Sequence, residues 1–197
     1  MQIINCQQGT EEWFACRCGL PTSSNFSKIV DSKGLISKQR KKYLYKLAGE
    51  SVAGQCEETY QSQAMQRGSE MEDEARKFYS LANNAEVKQV GFCLSKDYGA
   101  SPDGLVGDDG LLEIKCPIIS THVDYLLKNK LPTEYFQQVQ GQLLVTNRKW
   151  VDFISYYPGI KPLVIRVKRD KEFLKVLKEE LNNFCDELKE VAKKIGG

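Results

Sequence analysis

The 197-residue sequence has a single histidine, His122. A metal centre built from several histidines is excluded, a histidine base is disfavoured, and a lone imidazole near a helix start reads as structural. Cysteine is less scarce, at seven residues, but the count is odd and no CxxC pair occurs. A zinc site of standard spacing is therefore not visible, and a disulfide framework is not expected. No apolar run approaches the roughly 20 residues that cross a bilayer. Met1 to Cys6 lacks the basic and long apolar regions of a signal peptide. The expected location is the cytoplasm, with no membrane contact. A strong excess of either charge is also missing: 28 Lys and Arg stand against 26 Asp and Glu, a net +2. Such a balance departs from the basic excess of many nucleic-acid-binding modules, so contact with a polyanion has to use a local patch. Internal repeats and low-complexity segments are absent.

What is present is an ordinary globular composition, 41% hydrophobic and 27% charged, in a length that suits one domain over residues 1–197. The most informative stretch runs from Ser101-Pro102-Asp103-Gly104 to Leu111-Leu112-Glu113-Ile114-Lys115-Cys116-Pro117. Glu113 and Lys115 are two apart, so in a strand they share one face and leave Leu112, Ile114 and Cys116 on the other. The turn Gly107-Asp108-Asp109-Gly110 suits a hairpin that folds Asp103 back toward Glu113. Two converging carboxylates repel each other unless a cation sits between them. Their hard oxygens suit Mg²⁺, with Mn²⁺ as a substitute. With Lys115 beside them, the group suits metal-assisted hydrolysis of a phosphodiester. The bland alternative is a surface hairpin carrying an ordinary Glu/Lys pair. Against it stands the placement of both charges inside an apolar strand.

Pro102-Asp103 followed by Glu113-Ile114-Lys115 resembles the PD-(D/E)XK nuclease signature. The longer run Ser-Pro-Asp-Gly-Leu to Leu-Glu-Ile-Lys-Cys-Pro is similar to one branch of that superfamily, the phage lambda exonuclease or YqaJ-type viral recombinase family. The resemblance implies Asp103 and Glu113 as metal ligands, with the Ile114 carbonyl as a backbone ligand. It implies Lys115, helped by Gln138, as the group that positions the attacking water. Gln-Gly-Thr-Glu-Glu-Trp-x-x-x-Arg-x-Gly-x-x-Thr-x-Ser, over residues 8–24, is similar to the family's opening motif, which assigns Arg17 and Ser24 to the 5′-phosphate of a DNA end. From the residues alone, helix capping by Thr22, Ser23 and Ser24 is the simpler reading. Pro21 departs from the family, which has an aliphatic residue there. Arg67-Gly68-x-x-x-Glu72 is similar to the segment that supplies a further acid, here Glu72. Some superfamily relatives hold an iron–sulfur cluster on one early and three late cysteines; only Cys185 is late here, which excludes that arrangement.

The periodicities complete the reading. Thr10 caps a helix running to about Gly19, and a short helix with Phe26 and Val30 follows Pro21. Helices are predicted over Ser37 to Ala53, ending at Gly54, over Ala64 to Leu81, and over Ser120 to Lys130 with Val123, Leu126 and Leu127 inward. Glu72, Ala75 and Tyr79 share a stripe of the second of these. An inward acid needs a cation, the alternative being a surface Glu in an acidic helix. Lys38, Arg40, Lys41 and Lys42 form the densest basic cluster, ordinarily a solvated face. Strands are predicted over Glu86 to Ser95, Tyr98 to Leu105, Leu111 to Cys116, Trp150 to Tyr157 and Leu163 to Val167.

A helix capped by Thr133 runs to Thr146, with Tyr135, Gln138 and Gln142 on one face, and a final helix follows Asp170. Buried glutamines need partners. The family has a similar Tyr-x-x-Gln-Val-Gln segment, so Gln138 and, with Tyr135, Gln140 and Ser101, further candidates stand open between a site and a structural role. The order of elements gives an α/β (or α+β) fold with a central mixed sheet flanked by helices, the restriction-endonuclease-like core that the resemblance implies. The implied activity is a Mg²⁺-dependent 5′→3′ exonuclease that degrades one strand of double-stranded DNA from its ends. The resemblance further implies a ring-shaped homotrimer serving phage recombination with a single-strand annealing protein. An endonuclease or RNase on the same core, and a silent DNA-end-binding module, are the rival readings.

Overall fold

The computed structural model describes residues 1–57 and 63–196, with side chains except those of 63–70. The polar stretch expected over Gln55 to Gln63 falls largely outside the described residues, as does the side-chain placement expected for Arg67 and Gly68. In chain order the elements are β1 (Gln2–Ile4), α1 (Glu11–Arg17), a 3-10 helix (Ser23–Lys28), α2 (Arg40–Ala53), α3 (Gln63–Asn83), β2 (Val87–Lys88), β3 (Phe92–Ser95), β4 (Tyr98–Ala100), β5 (Gly104–Val106), β6 (Gly110–Lys115), α4 (Ile119–Lys128), a 3-10 turn (Thr133–Tyr135), α5 (Phe136–Thr146), β7 (Trp150–Ser155), β8 (Leu163–Lys168) and α6 (Lys171–Gly196).

Five strands form a mixed sheet in the order β2-β5-β6-β7-β8, and β1, β3 and β4 form a smaller antiparallel sheet. β6 and β7 pair in parallel, which requires the crossover supplied by α4 and α5. The other pairings in the large sheet are antiparallel. This is the mixed sheet flanked by helices that the sequence indicates. Two predicted strands are split. Glu86 to Ser95 divides into β2 and β3, and Tyr98 to Leu105 into β4 and β5, with the halves in different sheets. Gly91 and Pro102 lie at the breaks. A Cβ at Gly91 would meet the Cys6 carbonyl oxygen at 2.3 Å, so the chain passes too close to Cys6 to carry a side chain there.

β6 reads as alternation predicts. Leu112 and Ile114 join Ala75 and Tyr79 of α3 in one apolar cluster, while Leu111 enters the larger core on the other side with Val139 and Leu143 of α5. α5 contacts both sheets, the first 3-10 helix and α6. Gly141 permits this approach: a Cβ there would meet the Phe26 ring at 2.4 Å. α4 corrects the sequence reading. Its buried side carries His122 and Tyr125, whereas Val123 and Leu127 are exposed. His122 is fully buried, with Nδ1 2.7 Å from the Ser155 hydroxyl and Nε2 3.1 Å from the Lys161 carbonyl, so polar partners rather than apolar stripes set this helix's rotation. Asp170 accepts from the Phe173 amide at the start of α6, and Gly54 closes α2 in the left-handed region at φ +65°.

Candidate active site

The turn between β5 and β6 sets the register Gly104 opposite Leu112. Asp103 therefore lies just beyond the last pair, across from Glu113. Its amide donates to the Leu112 carbonyl at 3.0 Å, and its carboxylate accepts from the Ile114 amide at 2.6 Å. On the other edge of β6 the Lys115 carbonyl accepts from the Tyr156 amide at 2.9 Å. Strand alternation then turns the Ile114 peptide groups toward Asp103, past the end of β5. The backbone carbonyl expected as a ligand thus points to the acid that shares its site.

Glu113 is 1% exposed, and its two oxygens are met by three donors. Lys115 Nζ lies 2.6 Å from Oε1, which also accepts from Gln138 Nε2 at 2.5 Å; Gln142 donates to Oε2. Gln138 and Gln142 sit one turn apart on α5, so the helix presents two amides to one carboxylate. Gln142 is fully buried, and its Oε1 has no partner among the described residues. The demand of a buried carboxylate for donors explains why the amide is oriented nitrogen-first. Lys115 Nζ stands 5.4 Å from the centre of the Tyr135 ring, which packs on Phe153.

Glu72, on α3, is a third acid within electrostatic reach of Glu113, Asp103 and Lys115. Its carboxyl is raised above its ordinary value by burial first, while Lys115 and Arg76 pull the other way and Glu113 adds to the rise. Asp103 is pushed well above the carboxylate range, by burial and then by the charges of Glu113 and Glu72. For Lys115, burial disfavours the ammonium, but Glu113 and Asp103 outweigh it and hold the amine above the ordinary lysine value. Lys115 thus acts on Asp103 and Glu72 and is paired with Glu113, while Arg76 acts on Glu72 and is also bonded to Asp73 and to the Asp103 carbonyl. The donor set is all oxygen and short of positive charge, which fits a hard divalent cation. Both Glu113 oxygens are already engaged, so a cation would draw on Asp103, Glu72 and the remaining lone pairs of Glu113.

The opening motif docks onto the same region. Gln8 Nε2 donates to the carbonyls of Val90 and Pro102 at 2.9 and 3.0 Å, and Trp13 Nε1 to the Gly91 carbonyl and the Ser101 hydroxyl at 3.2 and 3.0 Å. Ser101 therefore fastens α1 to the segment that carries Asp103. Arg17 stacks on Trp13, 3.6 Å from its ring centre, and no carboxylate pairs with it among the described residues. Burial lowers its pKa, with the Tyr43 hydroxyl working in the opposite direction. Ser24 is exposed, with its hydroxyl 3.2 Å from that of Thr22, whose amide donates to Tyr43 Oη at 3.4 Å. Tyr43 thus neighbours both halves of the expected phosphate anchor. Beside it opens a cleft of about 720 Å³ lined in part by Lys28, Lys42 and Lys46.

Of the candidates, Asp103, Glu113, Ile114, Lys115, Glu72, Gln138 and Tyr135 come together. Gln140 does not: it donates to the Lys168 carbonyl and accepts from the Asp170 amide, joining α5 to the β8–α6 corner. Gln142 emerges as a further contact of Glu113. Its position one turn after Gln138 was the signal for it.

A family model described as the YqaJ-like viral recombinase domain matches residues 12–149. An alkaline exonuclease (LHK-Exo) from Laribacter hongkongensis superposes with a TM-score of 0.86 at 35% identity, over 94% of this chain and 96% of that one. The same enzyme in complex with dAMP gives a TM-score of 0.85 with the same identity and coverage. A phage related exonuclease from Haemophilus somnus 129PT shares the fold at a TM-score of 0.72, with 16% identity over 89% of this chain and 96% of that one. No curated protein matches.

Proposed function

The chain belongs to the YqaJ-like viral recombinase family, the phage lambda exonuclease branch of the PD-(D/E)XK nucleases, and we propose that it is a metal-dependent 5′→3′ exonuclease acting on double-stranded DNA ends. The observation that carries the reading is the buried Glu113 carboxylate, held by Lys115, Gln138 and Gln142 and set across from Asp103. Asp103, Glu113, Glu72 and the Ile114 carbonyl would hold Mg²⁺, with Mn²⁺ as a substitute. Bound there, the metal would supply charge stabilisation to the phosphoryl oxygens and the leaving 3′ oxygen.

The protein's own groups do the rest. Lys115, kept charged by Glu113 and Asp103, acts as an electrostatic group rather than a base; it orients a water and faces the charge that develops on phosphate. Gln138 and Gln142 fix the Glu113 carboxylate so that its lone pairs keep one direction. Arg17, stacked and without a carboxylate partner among the described residues, and the Ser24 hydroxyl anchor the 5′-phosphate. A single domain over residues 1–197, a homotrimeric ring and a single-strand annealing partner in recombination belong to the same reading.

The test is nucleotide release from a linear duplex with a 5′-phosphate or a 5′-hydroxyl, in Mg²⁺ or EDTA, for the wild type and Lys115→Ala. Metal-dependent mononucleotides from the phosphorylated end, lost in the variant, are the expected result. Internal cuts indifferent to the 5′ end would replace this reading with an endonuclease. DNA binding without cleavage at any metal level would replace it with a silent end-binding module.

A further inference from the structure

A second cluster of metal-binding groups lies away from the acidic site. The thiols of Cys18 and Cys56 and the carboxylate of Glu50 have their ligand atoms all within 4.8 Å of one another, the one such group of three among the described residues. Spacings of 32 and 6 residues made it invisible in the sequence. The fold assembles it: Cys18 directly follows α1, Glu50 lies in the last turn of α2, and Cys56 follows the Gly54 cap. Gly19, at φ +68°, lets this corner close, because a Cβ there would stand 2.9 Å from the Ser51 Cβ.

We propose that Cys18, Cys56 and Glu50 form a site for a thiophilic divalent cation of the Zn²⁺ class. Tetrahedral zinc with Zn–S of about 2.3 Å and Zn–O of about 2.0–2.2 Å places its ligand atoms roughly 3.5 to 4 Å apart, which the present grouping reaches with small side-chain adjustments. Two sulfurs and one oxygen discriminate against Mg²⁺, which takes oxygen ligands. Glu50 is 7% exposed and preplaced. Its Oε1 accepts from Lys46 and from the Glu57 amide at 3.0 Å, but among the described residues Oε2 takes only the Gly19 amide at 3.4 Å, leaving a lone pair for the cation. Glu50 and Cys56 also line the cleft beside Tyr43, which gives the ion and a fourth, solvent-derived ligand a way in. Binding displaces the two thiol protons to solvent and ties the end of α1, one residue after Arg17, to the end of α2.

The experiment uses the full chain, reduced with a phosphine, titrated with Co²⁺ and followed by absorption spectroscopy. The expected result is one equivalent with thiolate-to-cobalt charge transfer and the intense visible bands of tetrahedral cobalt, displaced by Zn²⁺ and unaffected by excess Mg²⁺. Cys18→Ser and Cys56→Ser are expected to lose the charge-transfer band, whereas Cys185→Ser keeps it, and Glu50→Gln weakens binding at least tenfold. Absence of a charge-transfer band in the wild type, or its survival in Cys18→Ser or Cys56→Ser, overturns the proposal. The readout is independent of nuclease activity, so the two readings stand or fall separately.

Discussion

A carboxylate that is 1% exposed needs partners, and three donors converge on Glu113. Those donors differ in what they do for the proposed reaction, and substitution separates them. Lys115→Ala removes the ammonium that meets Glu113 and is expected to lower kcat about 100- to 1000-fold. Gln138→Ala and Gln142→Ala loosen the carboxylate without removing charge, with an expected loss of about 10- to 100-fold. Gln140→Ala is the control from the same helix. It is expected to leave nucleotide release unchanged and to lower stability by about 1–3 kcal/mol, because it strands the Asp170 amide and the Lys168 carbonyl.

Asp103 gives a pH signature. Its folded pKa lies above the unfolded value, chiefly through burial and then through Glu113 and Glu72. The folded state therefore binds the proton more tightly, and metal-free stability falls as pH rises from the ordinary carboxylate range through the folded value. Asp103→Asn removes that loss and keeps an acceptor for the Ile114 amide. Thermal melts in EDTA are expected to show the variant above the wild type at neutral pH and the two converging in acid. Mg²⁺ should raise the wild-type midpoint far more than that of the variant.

The hairpin of β5 and β6 was legible because its determinants are local: a short glycine-bounded turn and a period of two. The same holds for the Thr10 cap, whose hydroxyl accepts from the Trp13 amide, and for the Gly54 stop. What stayed illegible depends on partners far away in the chain. Nothing in Gln2 to Ile4 announces a strand, because β1 is defined by its pairing with β3. Helical spacing puts Gln138 and Gln142 of α5 on one face and Gln140 on another, but which face meets a carboxylate depends on Glu113, 25 and 29 residues earlier in the chain. α5 also shows how closely the elements are fitted. Gly141→Ala puts a methyl group into the Phe26 ring and is expected to cost about 1–3 kcal/mol, read as a lowered denaturation midpoint. Arg17→Ala, at the end of α1, should instead leave the fold intact and abolish the preference for a 5′-phosphorylated end over a 5′-hydroxyl end.

Assembly is the remaining level. The proposed metal ligands and the proposed phosphate anchor all come from one chain, so in the ring reading it is staying on the DNA that calls for further copies. The ring reading can be tested at α4. Ile119, Val123 and Leu127 follow one another at helical spacing and are 50%, 39% and 82% exposed, on the side opposite His122 and Tyr125.

Introducing charge by Val123→Glu with Leu127→Glu should therefore separate assembly from chemistry. Light scattering is expected to give a trimer for the wild type and a monomer for the double variant. Mononucleotide release from short duplexes should persist in the variant. On long duplexes challenged with competitor DNA, the number of nucleotides removed per binding event should collapse. A wild type that runs as a monomer would remove the ring, and processivity with it, while leaving the Glu113 site untouched. A double variant that stays trimeric would move the contact to another face of the chain.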